Sequence, residues 1–493
     1  MVAYGKTGFD SDKYIKMQKE EILQRKKMFG KRLYLEVGGK LFDDFHAARV
    51  LPGFDPNIQI KLLQSFKDDL EVVFCISATQ IEKSKVREDT GMTYDMEVLR
   101  LIEALQDEKI YINSVVITLF SNQTSAIKFG DKLKALGMKV YFHSPTKGYP
   151  TNVDEIVSDD GYGKNPYIEV SRDIVVVTAP GPGSGKLGTC LSQLYHEHKK
   201  GKKSGYAKFE KFPVWNLPLK HPVNVAYEAA TADLKDVNMV DSYHFAEYGK
   251  MTVNYNRDIE CFPVVRDILT KIMERSPYKS PTDMGINTIV DAITNEDVVV
   301  EAAKQEIIRR YYKAKCECKK GNVAEFVPER IKLLMNELKI STSERPCVLP
   351  ALAKSDKTGL PSIAIELADG TIITGRKTDI LSASASCFLN AIKHLAGIDD
   401  KIKLIAPSYL EPIKEMKHAV LKRPESLLSI RDVLFVLAIS SRDNEFVKIA
   451  LSKVEALTGC EVHSTQFLER SNEDVFRRLS MNVTCEPVAI KQV

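Results

Sequence analysis

Along the first 265 residues, short β-rich apolar runs alternate with longer stretches in which apolar residues recur every three or four positions. This is the pattern of a largely parallel sheet covered by helices on both faces. Strands are expected near Leu33–Val37, Val72–Ile76, Val115–Phe120, Lys139–His143 and Asp173–Thr178, and helices near Tyr94–Leu105 and Ser125–Leu136. An N-terminal helix precedes them, with Asp10 or Ser11 as its cap. From about Pro263 to Ile340 the β-runs give way to helical patterns, among them Asp297–Ala314 with Val299, Ala302, Ala303 and Ile307 at its apolar positions. A break at Ser341–Pro346 leads into a second α/β region. There Ile363–Glu366 and Thr371–Thr374 flank the short turn Ala368–Gly370. A helix follows over Ser384–Leu395, and later strands are expected at Lys403–Ala406 and Val433–Ile439. The chain reads as an α/β domain over residues 1–265, a helical subdomain over 266–345 and a smaller C-terminal α/β domain over 346–493.

Composition narrows this little. The 493 residues are enough for about three domains. Basic and acidic side chains number 70 and 66, interspersed, so the net charge of +4 makes no basic field for nucleic acid. The nine cysteines are scattered and lack the spacings of a zinc ribbon or a disulfide framework, which fits reduced thiols in a cytoplasmic protein. Residues 1–30 are charged throughout, without the apolar centre of a signal peptide, and no apolar run approaches the roughly 18 residues that a membrane helix needs. Neither a membrane nor a nucleic acid is expected as a partner; a homo-oligomer remains open.

One segment carries sharp chemistry. The β-branched run Asp173–Thr178 delivers the chain into Ala179-Pro-Gly-Pro-Gly-Ser-Gly-Lys-Leu-Gly-Thr-Cys190, and Leu187–His196 reads as a helix. Glycines let a backbone turn its amides toward an anion, and the helix N-terminus adds partial positive charge. The binding residues expected are Gly181, Gly183, Ser184, Gly185, Lys186, Gly188 and Thr189, with Lys186 placing an ammonium beside the phosphates. A P-loop, G-x-x-x-x-G-K-[ST], is matched only in part: Pro180 holds the first glycine position and Leu187 the hydroxyl position, which leaves magnesium binding to Ser184 or Thr189. The dinucleotide pattern G-x-G-x-x-G is met by Gly183, Gly185 and Gly188, with Glu210 as the ribose-binding acid. Both patterns normally follow the first strand of a domain, whereas this turn follows about the fifth.

Two further clusters are candidates. Lys40, Asp43, Asp44, His46 and Arg49 leave the strand Leu33–Val37 at its carboxyl end, where open α/β sheets hold ligands. Asp241 could orient water or a metal, and His244 could act as acid or base. The catalytic set expected is Lys186, Asp241, His244 and His46. The tripeptide His196-Glu-His198 lacks the H-E-x-x-H spacing that puts two ligands on one helical face and reads as a solvated helix end. Cys316-Glu-Cys318 is given no metal.

Four long motifs, "LEVGGKLFDDFHAARVLPGF", "GPGSGKLGTCLSQLYHEHKKG", "FPVWNLPLKHPVNVAYEAATADL" and "NYNRDIECFPV", together resemble a bacterial family of uncharacterised cytoplasmic proteins of this length. The resemblance spans essentially the whole chain. It implies a shared three-part architecture and no established activity; some relatives carry the label ATP-dependent zinc protease, of which only the first half finds support here. The C-terminal region is fainter in its likeness to the cytidine-deaminase-like fold, through the hairpin Ser362–Gly375 and the following Ser384–Ile392. The zinc deaminase signature is incomplete: no glutamate lies two residues beyond Ser386 or Cys387, and Pro346-Cys347 has no second cysteine. That region is expected to serve assembly or closure over the other domain's site. The function expected is binding of a nucleotide, ATP among others and with or without magnesium, or of another small phosphorylated ligand, in a phosphotransferase or ligase. A non-catalytic sensor or scaffold and an NAD-dependent oxidoreductase are the alternatives.

Overall fold

The computed structural model describes residues 6–87, 90–421 and 427–490. Its contacts divide into two compact units, one of Gly8–Tyr227 and Asp236–Glu296, the other of Glu228–Lys235 and the chain from Asp297 on. Among the described residues no helix is long and apolar enough to cross a membrane.

The first unit is built on seven parallel strands: β1 (Arg32–Val37), β2 (Leu70–Ser77), β3 (Ile112–Thr118), β4 (Lys139–Phe142), β5 (Ile174–Thr178), β6 (Ser204–Phe209) and, after a two-stranded antiparallel ribbon of β7 (Asn238–Val240) and β8 (Val253–Tyr255), β9 (Gly285–Ile286). The sheet order is β4-β3-β2-β5-β1-β6-β9. Every residue of β1, β2, β3 and β5 is buried, as strands covered on both faces must be. The N-terminal helix Ser11–Met28 is capped by Asp10, whose carboxylate accepts from the Lys13 amide at 2.9 Å. Its buried Gln18 donates to the Ile286 carbonyl at 3.0 Å and accepts from the Thr288 hydroxyl at 2.7 Å, so the helix fastens the short strand β9. That strand lies within the segment whose pattern is otherwise helical: two residues leave no periodicity to read.

Connections leaving β1, β2 and β3 run toward the β4 edge, whereas the one leaving β5 runs toward β6 and β9. Parallel crossovers are right-handed, so these two sets lie on opposite faces of the sheet. Strand β5 therefore sits between two neighbours, β1 and β2, whose connections diverge from its own.

The second unit holds β10 (Ser362–Glu366), β11 (Ile372–Arg376), β12 (Glu461–Ser464) and β13 (Asn482–Cys485) in the order β11-β10-β12-β13, the last pair parallel and the others antiparallel. The expected hairpin is present, and the helix Ala383–Leu395 packs Phe388 and Ile392 into its core. Two expected strands are not. Val433–Ile439 belongs to the helix Ile430–Ser440, which Ser429 and Asp432 open with a reciprocal capping box; Val433, Val436 and Leu437 then fall on one buried face. Lys403–Ala406 is irregular, its Leu404 and Ile405 buried immediately before a helix begins at Pro407.

A fully buried guanidinium ties this unit together. Arg345 donates to the Thr484 hydroxyl at 3.0 Å and to the Val462 and Asn482 carbonyls at 3.2 and 2.6 Å, and pairs with Glu461, which also accepts from Arg309 at 3.0 Å. Arg345→Ala takes from the buried Glu461 carboxylate one of its two guanidinium partners, leaving Arg309, and takes a donor from each of two carbonyls; it is expected to lower stability by about 3 kcal/mol. Urea unfolding followed by circular dichroism checks this; a loss below about 1 kcal/mol would mean that solvent replaces the guanidinium.

Candidate functional site

The carboxyl ends of all seven parallel strands share one edge of the first unit, and the glycine turn leaves that edge from β5. Ligands of open α/β sheets lie outside the carboxyl ends of the strands where neighbouring connections diverge. The turn occupies that place.

Its backbone is held from the sheet side. Gln80, just past β2, donates to the Pro182 carbonyl at 2.8 Å and accepts from the Ser184 hydroxyl at 2.9 Å. Thr118, which ends β3, donates to the Ser184 carbonyl at 2.9 Å, and Arg87 donates to the Pro180 carbonyl at 2.8 Å. The Ser184 hydroxyl also donates to the Gly181 carbonyl at 3.0 Å. Carbonyls of the turn are thus engaged inward, and the helix Lys186–Lys199 begins at Gly185 with no side chain capping its first-turn amides, which have no partner within the helix. Gly185 is its N-cap in the left-handed region, φ +85°, and a Cβ there would lie 2.7 Å from the Thr118 hydroxyl. At Gly181 a Cβ would meet the Tyr94 hydroxyl at 2.3 Å. Packing thus explains two of the glycines. It does not explain Gly188, in the first turn of the helix, where a Cβ would have no neighbour within 4 Å.

Lys186 reaches toward the end of β1, its Nζ 3.9 Å from Glu36 Oε1, and Tyr206 of β6 donates to Glu36 Oε2 at 2.8 Å. Beside them Lys208 pairs with Glu210 and, at 2.8 Å, with Asp258. Burial would discharge Lys208, but Asp258, Glu210 and Glu36 outweigh it and hold its pKa above the usual lysine value. Burial dominates at Glu210: against the pull of Lys208 and with the push of Asp258, its carboxyl is raised to about 7.

The remaining expected residues separate into those at the turn and those elsewhere. Gly183 takes φ +73° within it. Thr189 is buried and accepts from the Cys75 thiol of β2 at 3.4 Å, so its hydroxyl, like that of Ser184, is engaged inside the protein. Asp44 caps the helix Phe45–Val50 and pairs with buried Lys211 at the end of β6; burial works to raise its pKa, but Lys211 wins and lowers it. The His46 ring stands edge-on to Tyr227 at 4.3 Å. Asp241 belongs to a separate cluster as the cap of Ser242–Tyr248: Oδ1 accepts from the Tyr243 and His244 amides, and Oδ2 from the amide and hydroxyl of Thr282. His244 Nδ1 lies 2.9 Å from Ser280 Oγ and 3.6 Å from Asp283. Glu210 directly follows β6, which is separated from β5 by β1, about 10 Å away at the usual strand spacing.

The solvated helix end expected at His196-Glu-His198 needs correction. His196 Nε2 is 2.7 Å from the Asn165 carbonyl and His198 Nε2 3.0 Å from the Ser204 carbonyl. Glu197 is buried, accepting from Arg32 at 2.6 Å and from the Tyr34 and Tyr167 hydroxyls at 3.2 and 2.5 Å. The lysines beyond it made the segment look polar, yet one face of the helix turns to the sheet. Among the described residues no group of three or more His, Cys, Asp or Glu side chains is arranged to hold a metal ion.

Because the folded-state pKa of Glu210 lies above the ordinary 4.5, the folded protein binds the extra proton between about 4.5 and 7. Stability contributed by this group is complete below that window and is lost as pH rises through it. Glu210→Gln is therefore expected to flatten the fall of stability with pH between those limits, as measured by denaturant midpoints at fixed ionic strength. Equal slopes for both proteins would contradict the raised pKa.

Two family models cover the chain: "Domain of unknown function DUF1846, N-terminal" matches residues 7–339 and "Domain of unknown function DUF1846, C-terminal" residues 343–492. Among curated relatives, a "UPF0371 protein" of Clostridium botulinum (strain Alaska E43 / Type E3) is 52% identical over 491 residues, 98% of each chain. Another from Clostridium tetani (strain Massachusetts / E88) matches over the same length at 52%. A third, from Clostridium botulinum (strain Langeland / NCTC 10281 / Type F), is 52% identical over 494 residues, again 98% of each chain.

Proposed function

We propose that this chain, which belongs to the DUF1846 family, binds the phosphate group of a small phosphorylated ligand, a nucleotide first among them, on the turn Gly181–Lys186. The observation that carries the reading is the contrast at the turn: its carbonyls are engaged by Gln80, Thr118 and Arg87, while the helix behind it offers first-turn amides and a vacant Cβ position at Gly188. Amides at a helix N-terminus complement an anion. Lys186 adds a cation whose present neighbour, Glu36, lies beyond hydrogen-bonding distance.

Ser184 and Thr189 have their hydroxyls engaged, so magnesium, if used, would come with the ligand rather than from these side chains. The dinucleotide reading is weaker. Its third glycine should sit against the strand, but nothing lies near Gly188, and Glu210 is paired with Lys208 two strands away. Transfer chemistry, as in a phosphotransferase or ligase, would rest on Lys186, the cation nearest the phosphates on this turn.

Lys186→Ala is expected to weaken binding of ATP at least tenfold by calorimetry, about 1.4 kcal/mol. Gly188→Ala separates ligand from fold: it should raise stability by about 0.5–1 kcal/mol, as alanine does over glycine in a helix, yet diminish binding. A thermal-shift panel of nucleotides, NAD and sugar phosphates selects the ligand, since about 100 Kd of it adds roughly 2.7 kcal/mol. Unchanged affinity in both variants would remove the ligand from this turn.

A further inference from the structure

Two cysteines distant in the chain meet in the second unit. Cys316 lies near the end of the helix Glu296–Lys319 and Cys485 ends β13, 169 residues later. Their sulfurs are 3.3 Å apart, and the Cys316 thiol is 3.2 Å from the Cys485 carbonyl oxygen. A disulfide bond of about 2.0 Å would require the sulfurs to approach by little more than an ångström. Cys316 is buried and Cys485 half-buried, so the pair lies just below the surface. Cys318 is on the same helix two positions on, and residues so spaced face different sides.

We infer that Cys316 and Cys485 are an oxidation site, forming a reversible intramolecular disulfide by exchange with a low-molecular-weight disulfide. Their mutual hydrogen bond is the main reason that the Cys316 pKa falls below the ordinary thiol value while that of Cys485 rises, with Lys320 contributing positive charge beside Cys316. Cys316, as thiolate, attacks one sulfur of the small disulfide; the S–S bond breaks and one small thiolate leaves. The Cys485 thiol loses its proton to solvent and attacks the Cys316 sulfur, expelling the second small thiolate. The two expelled thiolates take up the two thiol protons, so the protein dithiol is oxidised and one small disulfide is reduced to two thiols.

The bond would fasten β13, which closes one edge of the second sheet, to the helix Glu296–Lys319. By closing a loop of 169 residues it restricts the unfolded chain.

The test treats the reduced full-length protein with oxidised glutathione at neutral pH, quenches it with an alkylating agent and maps the peptides by mass spectrometry. The expected product has lost two hydrogen atoms and joins the Cys316 peptide to the Cys485 peptide, leaving seven of the nine thiols alkylated. It reverts with dithiothreitol and melts at a higher temperature than the reduced form. Cys318→Ser retains the linkage, and Cys316→Ser and Cys485→Ser each lose it. A linkage through Cys318, a retained glutathione adduct on either cysteine, or no linkage overturns the inference; the wild-type map decides it even if a variant does not fold.

Discussion

The carbonyl oxygens of the glycine turn are pinned by side chains from two places, the connection between β2 and β3 and the end of β3 itself. Gln80 follows β2, Thr118 ends β3 and Arg87 lies further along the connection between those strands. A peptide unit whose oxygen is fixed has its N–H direction fixed as well. The orientation of the amides therefore depends on the strand order, which brings the ends of β2 and β3 beside β5. Thr118 serves twice, as a donor to the Ser184 carbonyl and as the wall that leaves room only for glycine at position 185.

Buried charge organises both units, with different consequences. In the second unit Arg345 and Glu461 are matched by hydrogen bonds to carbonyls and side chains. In the first, Glu36, Glu210 and Asp258 face Lys186 and Lys208, an excess of carboxylate at the open edge of the sheet. One Asp258 oxygen is buried without a hydrogen-bond partner among the described residues, and Glu210 relieves the excess by holding its proton longer than a solvated carboxyl. The first network is satisfied within the protein; the second keeps a carboxylate surplus that its two lysines do not balance.

Much of the fold was legible because it is periodic. The run Ile174–Thr178 and the glycines after it announce a buried strand and a turn without any knowledge of neighbours, and Asp10 announces a helix start. What failed did so for physical reasons. Val433–Ile439 is apolar and β-branched enough for a strand, and only the Ser429–Asp432 capping pair, read together with the later apolar positions, reveals the helix. Glu36, Gln80 and Thr118 take their places beside the turn through strand order, which sequence spacing does not encode. Asp241 looked chemical because an acid after a short apolar run resembles a ligand-bearing strand end; a helix cap has the same local appearance.

The insertion of β5 between β1 and β2 also sets a timetable. While the first 142 residues leave the ribosome, β2, β3 and β4 can pair in sequence, but β1 has no neighbour: both of its edges await strands from beyond residue 173. A strand with two open edges, destined to be buried along its whole length, is a hazard for mispairing. The strand that brings the glycine turn is also the one that joins β1 to the rest of the sheet. Nascent chains thus cannot complete the sheet without assembling the turn, and a lesion that delays β5 would appear first as aggregation.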